Sequence, residues 1–147
     1  MDDDLGGLTE SEGRAWGALL RAHARCVRQM DAELESAHGT ALTTYDVLRQ
    51  LALAPGARLR MAELAERVML SRPGLTGVVK RLEAAGLLTR EPVPEDGRGS
   101  AAVLTPAGRR HLAEAHPTHV RSIRERFAGR FSDDELSTLA ELLGRIG

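Results

Sequence analysis

The chain of 147 residues has one cysteine, one lysine and only 3 % aromatic residues. Each shortage excludes something. Cys26 has no second cysteine to pair with, so a disulfide framework within the chain is ruled out, and such usage fits a reducing compartment. With so few aromatics the core must be mostly Leu, Ala and Val, which suits packed helices better than a strand sandwich. No apolar run approaches the ~18–20 residues that span a bilayer. The first residues are acidic, where a secretory signal is basic and then apolar, so the expectation is a soluble, cytoplasmic protein without membrane contact. Lys80 as the sole lysine among many arginines fits a GC-rich bacterial genome.

Signatures of chemistry are equally scarce. No Gly-rich phosphate loop follows a strand, and there is neither a zinc-hydrolase spacing nor a nucleophile elbow. An enzyme is not expected, and no cofactor or metal is implied. His111, His116 and His119 are spaced by five and three, which does not set all three on one helix face as two ligands at i and i+4 would be. They read as surface or interface histidines. Cys26 reads as a half-buried structural thiol. Nothing beside it in sequence signals the lowered pKa of a redox sensor. Sensing of metal or redox state through Cys26 or the histidines is kept as an alternative.

What is present is ordinary in bulk and uneven in detail. Apolar residues at 42 % and charged residues at 28 % describe one globular domain able to bury a core without staples. The net charge of −1 conceals a gradient: residues 1–12 hold five acids and no base, whereas residues 58–81 hold six bases against two acids, a local +4. A small protein that reads DNA needs positive charge only where phosphates approach.

The apolar periodicity predicts mostly helices. Trp16, Leu19, Leu20, His23, Val27, Met30 and Leu34 mark one face of a long helix over about 11–37, stopped at Gly39. A second helix, capped by Thr43 or Thr44, buries Val47, Leu48 and Leu51 and stops at Pro55-Gly56. Leu59 falls in a short strand. Met61–Val68 is a third helix with Leu64, Ala65 and Val68 inward, although Arg60 stands where a capping residue is favoured. Ser71 caps a fourth, with Pro73 tolerated in its first turn, a stripe of Leu75, Val78, Val79 and Leu82, and a stop at Gly86. Leu87–Glu91 and Ser100–Leu104 form a β-hairpin with a long polar tip. Thr105-Pro106 opens a fifth helix to about Phe127, kinked at Pro117, and Ser132–Glu135 is the capping box of a sixth.

Two short helices joined by a tight link and followed by a hairpin make a winged helix-turn-helix. Its fourth helix would enter a major groove. Ser71, Arg72, Gly74, Thr76 and Gly77 lie off the apolar stripe and are the candidates to face bases, while Lys80 and Arg81 suit phosphates. Arg98, at the hairpin tip, is the candidate for a minor groove.

At this point the residues resemble a known pattern. Leu42-Thr-Thr-Tyr-Asp-Val-Leu48, Met61-Ala-Glu-Leu-Ala-Glu-Arg67, Leu70-Ser-Arg-Pro-Gly-Leu-Thr76, Arg81 through Arg90, Asp96-Gly-Arg98 and Leu104-Thr-Pro-Ala-Gly108, in that order and spacing, resemble the multiple-antibiotic-resistance regulator (MarR) family over residues 11–147. The resemblance implies a mainly helical fold of six helices and a small β-wing. It also implies a homodimer in which the first, fifth and sixth helices interlock. Residues 1–10 would be a flexible acidic start, 11–41 the first dimerisation helix, 42–104 the DNA-binding lobe and 105–147 the C-terminal dimerisation helices. It implies a transcriptional regulator on a pseudo-palindromic double-stranded operator, often a repressor, often released by a small aromatic or phenolic ligand. Trp16, His23 and Tyr45 are the pocket candidates, because family ligands sit between the dimerisation helices and the DNA-binding lobe. Pro73, Gly74, Gly77 and Gly97 depart from the family's hydroxyl-rich or basic usage, which keeps a protein-interaction module with weakened DNA binding as the alternative.

Overall fold

The structure, a computed structural model, describes residues 7–68, 70–94 and 99–146. Helix α1 runs Glu10–His38, opened by a reciprocal capping box of Thr9 and Glu12 and closed at Gly39, whose φ of 59° is left-handed. That conformation favours glycine, which has no Cβ to clash.

Helix α2, Leu42–Leu53, begins earlier than the threonines suggest. Ala41 occupies the cap position and offers no side-chain hydrogen bond. The orphan amide of Leu42 donates instead to Asp31 Oδ1 of α1 at 2.7 Å, so a neighbouring helix supplies the acceptor that Thr43 or Thr44 was expected to provide. A 3-10 turn at Pro55–Ala57 leads into strand β1, Arg58–Arg60. Helix α3, Met61–Val68, solves its missing cap by the other half of a capping box: the Arg60 amide donates to Glu63 Oε2 at 3.2 Å.

Helix α4, Arg72–Ala84, starts at Ser71, whose hydroxyl accepts from the Gly74 amide, and buries Leu75, Val78, Val79 and Leu82. It ends in a Schellman motif, with the Leu87 amide donating to the Leu82 carbonyl at 2.9 Å and that of Gly86 to Glu83 at 3.0 Å. Because Leu87 is used in this motif, strand β2 is Leu88–Pro92, one residue later than the hydrophobic pattern suggests. Strand β3 is Ser100–Leu104 and pairs antiparallel with β2 from Leu88↔Leu104 to Pro92↔Ser100. The short strand joins the hairpin as well: β1 pairs with the far edge of β3 through Leu59↔Ala102, giving the order β1-β3-β2. Pro92 sits on an edge strand, where a missing N–H is tolerated. The main core lies between α2, α3, α4 and this sheet, around Leu48, Leu51, Leu64, Val79 and Leu88.

Helix α5, Pro106–Arg126, is capped by Thr105 and stays one element through Pro117. Helix α6, Asp133–Leu143, follows a 3-10 turn and carries the Ser132/Glu135 capping box. Along its length α5 packs against α1 and α2. Towards its C-terminal end Arg126 Nε donates to Glu33 Oε1 of α1 at 3.0 Å, and the Ser122 hydroxyl donates to the other carboxylate oxygen. The Ser122 and Arg126 hydrogen bonds hold the Glu33 carboxyl below the usual range.

At its N-terminal end α5 closes on the sheet. The Thr105 amide donates to the Leu87 carbonyl at 3.2 Å and its hydroxyl donates to the Gly86 carbonyl at 2.7 Å. Gly108 passes so close that a Cβ there would lie 2.0 Å from the Leu87 oxygen. No rotamer relieves a clash between Cβ and backbone. Gly108→Ala is therefore expected to destabilise the fold by at least about 1–3 kcal/mol, read as a lowered Tm in thermal denaturation. An unchanged Tm would show that this joint has slack the structure does not display.

Candidate nucleic-acid interface

Burying one face of α4 dictates what the other face offers. With the Leu75, Val78, Val79 and Leu82 stripe inside, Ser71, Gly74, Lys80 and Arg81 are exposed, and Thr76 and Gly77 are half-buried. Arg72 opens the helix, and its side chain lies outside what the structure describes. A Cβ on Gly77 would meet only the Arg81 guanidinium, at 3.7 Å, and one on Gly74 only the Ser71 hydroxyl, at 3.1 Å. Packing therefore does not require glycine at 77, whereas a Cβ at 74 would press on the capping hydroxyl of Ser71. The effect of the two glycines is to leave bare backbone on the first half of a solvent-facing helix.

The hairpin stands beside this helix. Its stem extends past the strands, with the Val93 amide donating to the Gly99 carbonyl at 3.0 Å. Arg98, the tip candidate, lies outside the described residues, as do Asp96 and Gly97. Two stem arginines are matched to acids: Arg90 Nε is 3.1 Å from Glu83 Oε2, linking β2 to α4, and Arg58 Nε is 3.5 Å from Glu91 Oε2, linking β1 to β2. Such exposed pairs contribute little to stability, about 0–1 kcal/mol. Their effect is on the field, since they offset positive charge on the stem and leave Lys80 and Arg81 prominent on α4.

The pocket candidates do not come together. Trp16 and His23 line a groove of about 1400 Å³ between α1, the end of α5 and α6, with Leu19, Met30, Phe127 and Leu142 among its apolar walls. Cys26 lies in the same groove, and its thiol donates to the Arg126 carbonyl at 3.8 Å. Tyr45 belongs elsewhere. It is wholly buried with Leu34 and Ala115 at the junction of α1, α2 and α5. Helical spacing on α1 groups Trp16 with His23, but nothing in the sequence of α2 reveals that Tyr45 points inward at α5 instead of into that groove.

The α5 histidines, read from sequence as surface or interface groups, are drawn into this junction. Tyr45 Oη and His116 Nδ1 are 2.7 Å apart, and the His119 ring centroid lies 4.4 Å from that of Tyr45. His111 Nε2 is 2.6 Å from Thr40 Oγ1, and His38 Nε2 is 2.9 Å from Thr118 Oγ1. Burial raises the Asp46 and Tyr45 pKa values and lowers that of His119. Among the described residues no group of three or more His, Cys, Asp or Glu is placed to hold a metal ion. No described helix is long and apolar enough to cross a membrane.

Comparison with known proteins agrees with this geometry. The MarR family model matches residues 38–99, from the end of α1 through β2 to just before β3. The HTH-type transcriptional regulator YkoM of Bacillus subtilis is 34 % identical over 132 residues, covering 88 % of this chain and 84 % of that one. The MarR family regulator Sco3205 of Streptomyces coelicolor, whose crystal structure is a complex with DNA, superposes with a TM-score of 0.88 at 32 % identity, over 95 % of this chain and 87 % of that one. The PcaV regulator of the same organism, solved with its natural ligand, gives a TM-score of 0.71 at 30 % identity, over 91 % and 89 %. With its six helices, three-stranded wing sheet and exposed α4 face, the chain belongs to the MarR family of winged-helix transcriptional regulators.

Proposed function

We propose that the protein is a homodimeric, sequence-specific repressor that seats α4 of each subunit in successive major grooves of a pseudo-palindromic operator. The observation that carries this reading is the polar face of α4, opposite a fully buried stripe. Ser71, Arg72, Gly74, Thr76 and Gly77 face base edges, Lys80 and Arg81 contact phosphates, and Arg98 reaches a minor groove. The crystal structure of Sco3205 with DNA supports the same use of the fold. A dimer lying over a promoter blocks polymerase by occupancy alone, and this makes repression the simplest outcome.

Pairing with a second copy is supported by what a single chain leaves bare. Trp16, Leu20, Leu142 and Ile146 are 52, 49, 48 and 76 % exposed. Trp16, Leu142 and Ile146 line one apolar groove on and just beyond the helices that the family resemblance assigns to pairing, and exposed apolar surface of this kind supports an interface there. A small aromatic or phenolic effector is part of the proposal, as PcaV is solved with a natural ligand. It would release DNA only if it bound better to a dimer geometry that fits the operator poorly.

A gel-shift titration on the DNA upstream of the gene, with random competitor and at two salt concentrations, tests this reading. A saturable shift that resists competitor and weakens with salt is expected, since phosphate contacts release counterions. A shift lost to competitor points to the interaction-module alternative that Gly74 and Gly77 keep open. Arg72→Ala is expected to cost about 1–3 kcal/mol and relax base preference, if the guanidinium reads guanine. Lys80→Ala should weaken all sequences alike and flatten the salt slope. In sedimentation, the protein is expected at twice its 15.9 kDa chain mass, and the double variant Leu142→Asp, Ile146→Asp at the mass of one chain. A wild type that sediments as one chain would remove the dimer from the account.

A further inference from the structure

Four of the five histidines converge on the junction that joins the long helices to the DNA-binding lobe. His38 of α1 meets Thr118 of α5, His111 meets Thr40 in the α1–α2 connection, and His116 and His119 flank Tyr45 of α2. The remaining histidine, His23, lies in the apolar groove. Histidine is the side chain whose charge ordinarily changes between pH 5 and 8. A row of them lies across the junction of α1, α2 and α5.

His119 is the member least able to accept a proton where it stands. Its Nδ1 is buried and has no hydrogen-bond partner. The groups facing it are Tyr45, Asp46 and Arg49 from α2 and His116 from its own helix; α1 contributes His38 to the same row, on Thr118. The neutral ring carries one N–H. The imidazolium carries two, so Nδ1–H must then find an acceptor. The facing carboxylate is Asp46, the residue after Tyr45 on α2. Drawing Asp46 onto that N–H would pull on the α2–α5 packing beside the Tyr45 ring.

We propose that this histidine row is a proton-operated hinge: protonation of His119 moves α2 against the middle of α5 and turns the DNA-binding lobe about its fixed joint at Gly108, so that operator affinity falls on acidification. The inference rests on the reading of the protein as a DNA-binding dimer and adds an input to it. Two α4 helices must sit about one DNA turn apart, so a shift of each lobe on its α5 changes the quantity that fixes affinity.

The thermodynamic sign follows from burial. Burial disfavours the charged ring and lowers the His119 pKa in the folded state below its ordinary value of 6.5, with Asp46 opposing and Arg49 and His116 reinforcing. The unfolded chain then binds the proton first. The stability contributed by neutral His119 is full above about pH 6.5 and is lost as pH falls from there through the folded pKa.

The test follows wild type and His119→Phe, which keeps a ring against Tyr45 and cannot titrate, between pH 7.5 and 5.5. Gel shifts on the selected operator are expected to show wild type losing about 5-fold or more affinity beyond any loss in the variant, a typical coupling between linked sites. Equal losses in the two proteins overturn the hinge. An NMR titration of wild type needs neither the variant nor DNA. The imidazole signals of His119 and the α2 amides from Tyr45 to Arg49 are expected to shift with one midpoint below 6.5. Amides of α2 that do not follow His119 overturn the proposal as well. Absence of specific binding at every pH would instead remove the regulator reading, and the α2 response would then decide the hinge by itself.

Discussion

The close approach of Gly108 to the Leu87 carbonyl fixes where the DNA-binding lobe sits on the helices that carry it. Leu87 closes the turn after α4 and precedes β2, and Gly108 lies in the first turn of α5, so this close approach ties α4, the hairpin and the long helix together. Thr105 reinforces it with two hydrogen bonds, to Gly86 and Leu87. The same helix is held again by Tyr45 at its middle and by Glu33 towards its end. A rigid α5 gripped at three points transmits whatever happens at the pairing helices to the lobe. The proposed dimer, whose affinity would depend on the separation of two α4 helices, has this mechanical requirement.

The recognition surface is sparing. Where side chains could have been added without disturbing the fold, at Gly77 above all, the chain leaves backbone. Fewer side chains mean fewer direct base contacts. Under the proposed function, more of the discrimination would then fall to Arg72, Thr76, the wing and DNA shape. The acids at Glu83 and Glu91, paired to Arg90 and Arg58, also limit the diffuse positive field that would hold the protein on any DNA.

Much of this was legible in the residues. Apolar spacing located all six helices, and Ser71, Thr105 and Ser132 act as the caps their types suggest. The failures share a cause. The start of α2 depends on Asp31 from another helix, and no local pattern announces an acceptor supplied through tertiary structure. The pairing of β1 with β3 is likewise long-range. Tyr45, a pocket candidate with Trp16 and His23, packs apart from them among the histidines, a tertiary placement that the spacing on α2 does not show. The histidines read as surface or interface groups, and His116 is exposed; what five-and-three spacing on one helix does not show is that Thr40 and Tyr45 lie opposite them.

Hydroxyl-radical footprinting of the protein on its own upstream DNA tests the central claim most directly. Two protected segments with centres one helical turn apart, about 10–10.5 base pairs, are expected from a dimer placing an α4 in each of two grooves. Cleavage that is uniform along the fragment, at protein concentrations that shift it fully in a gel, would contradict the account.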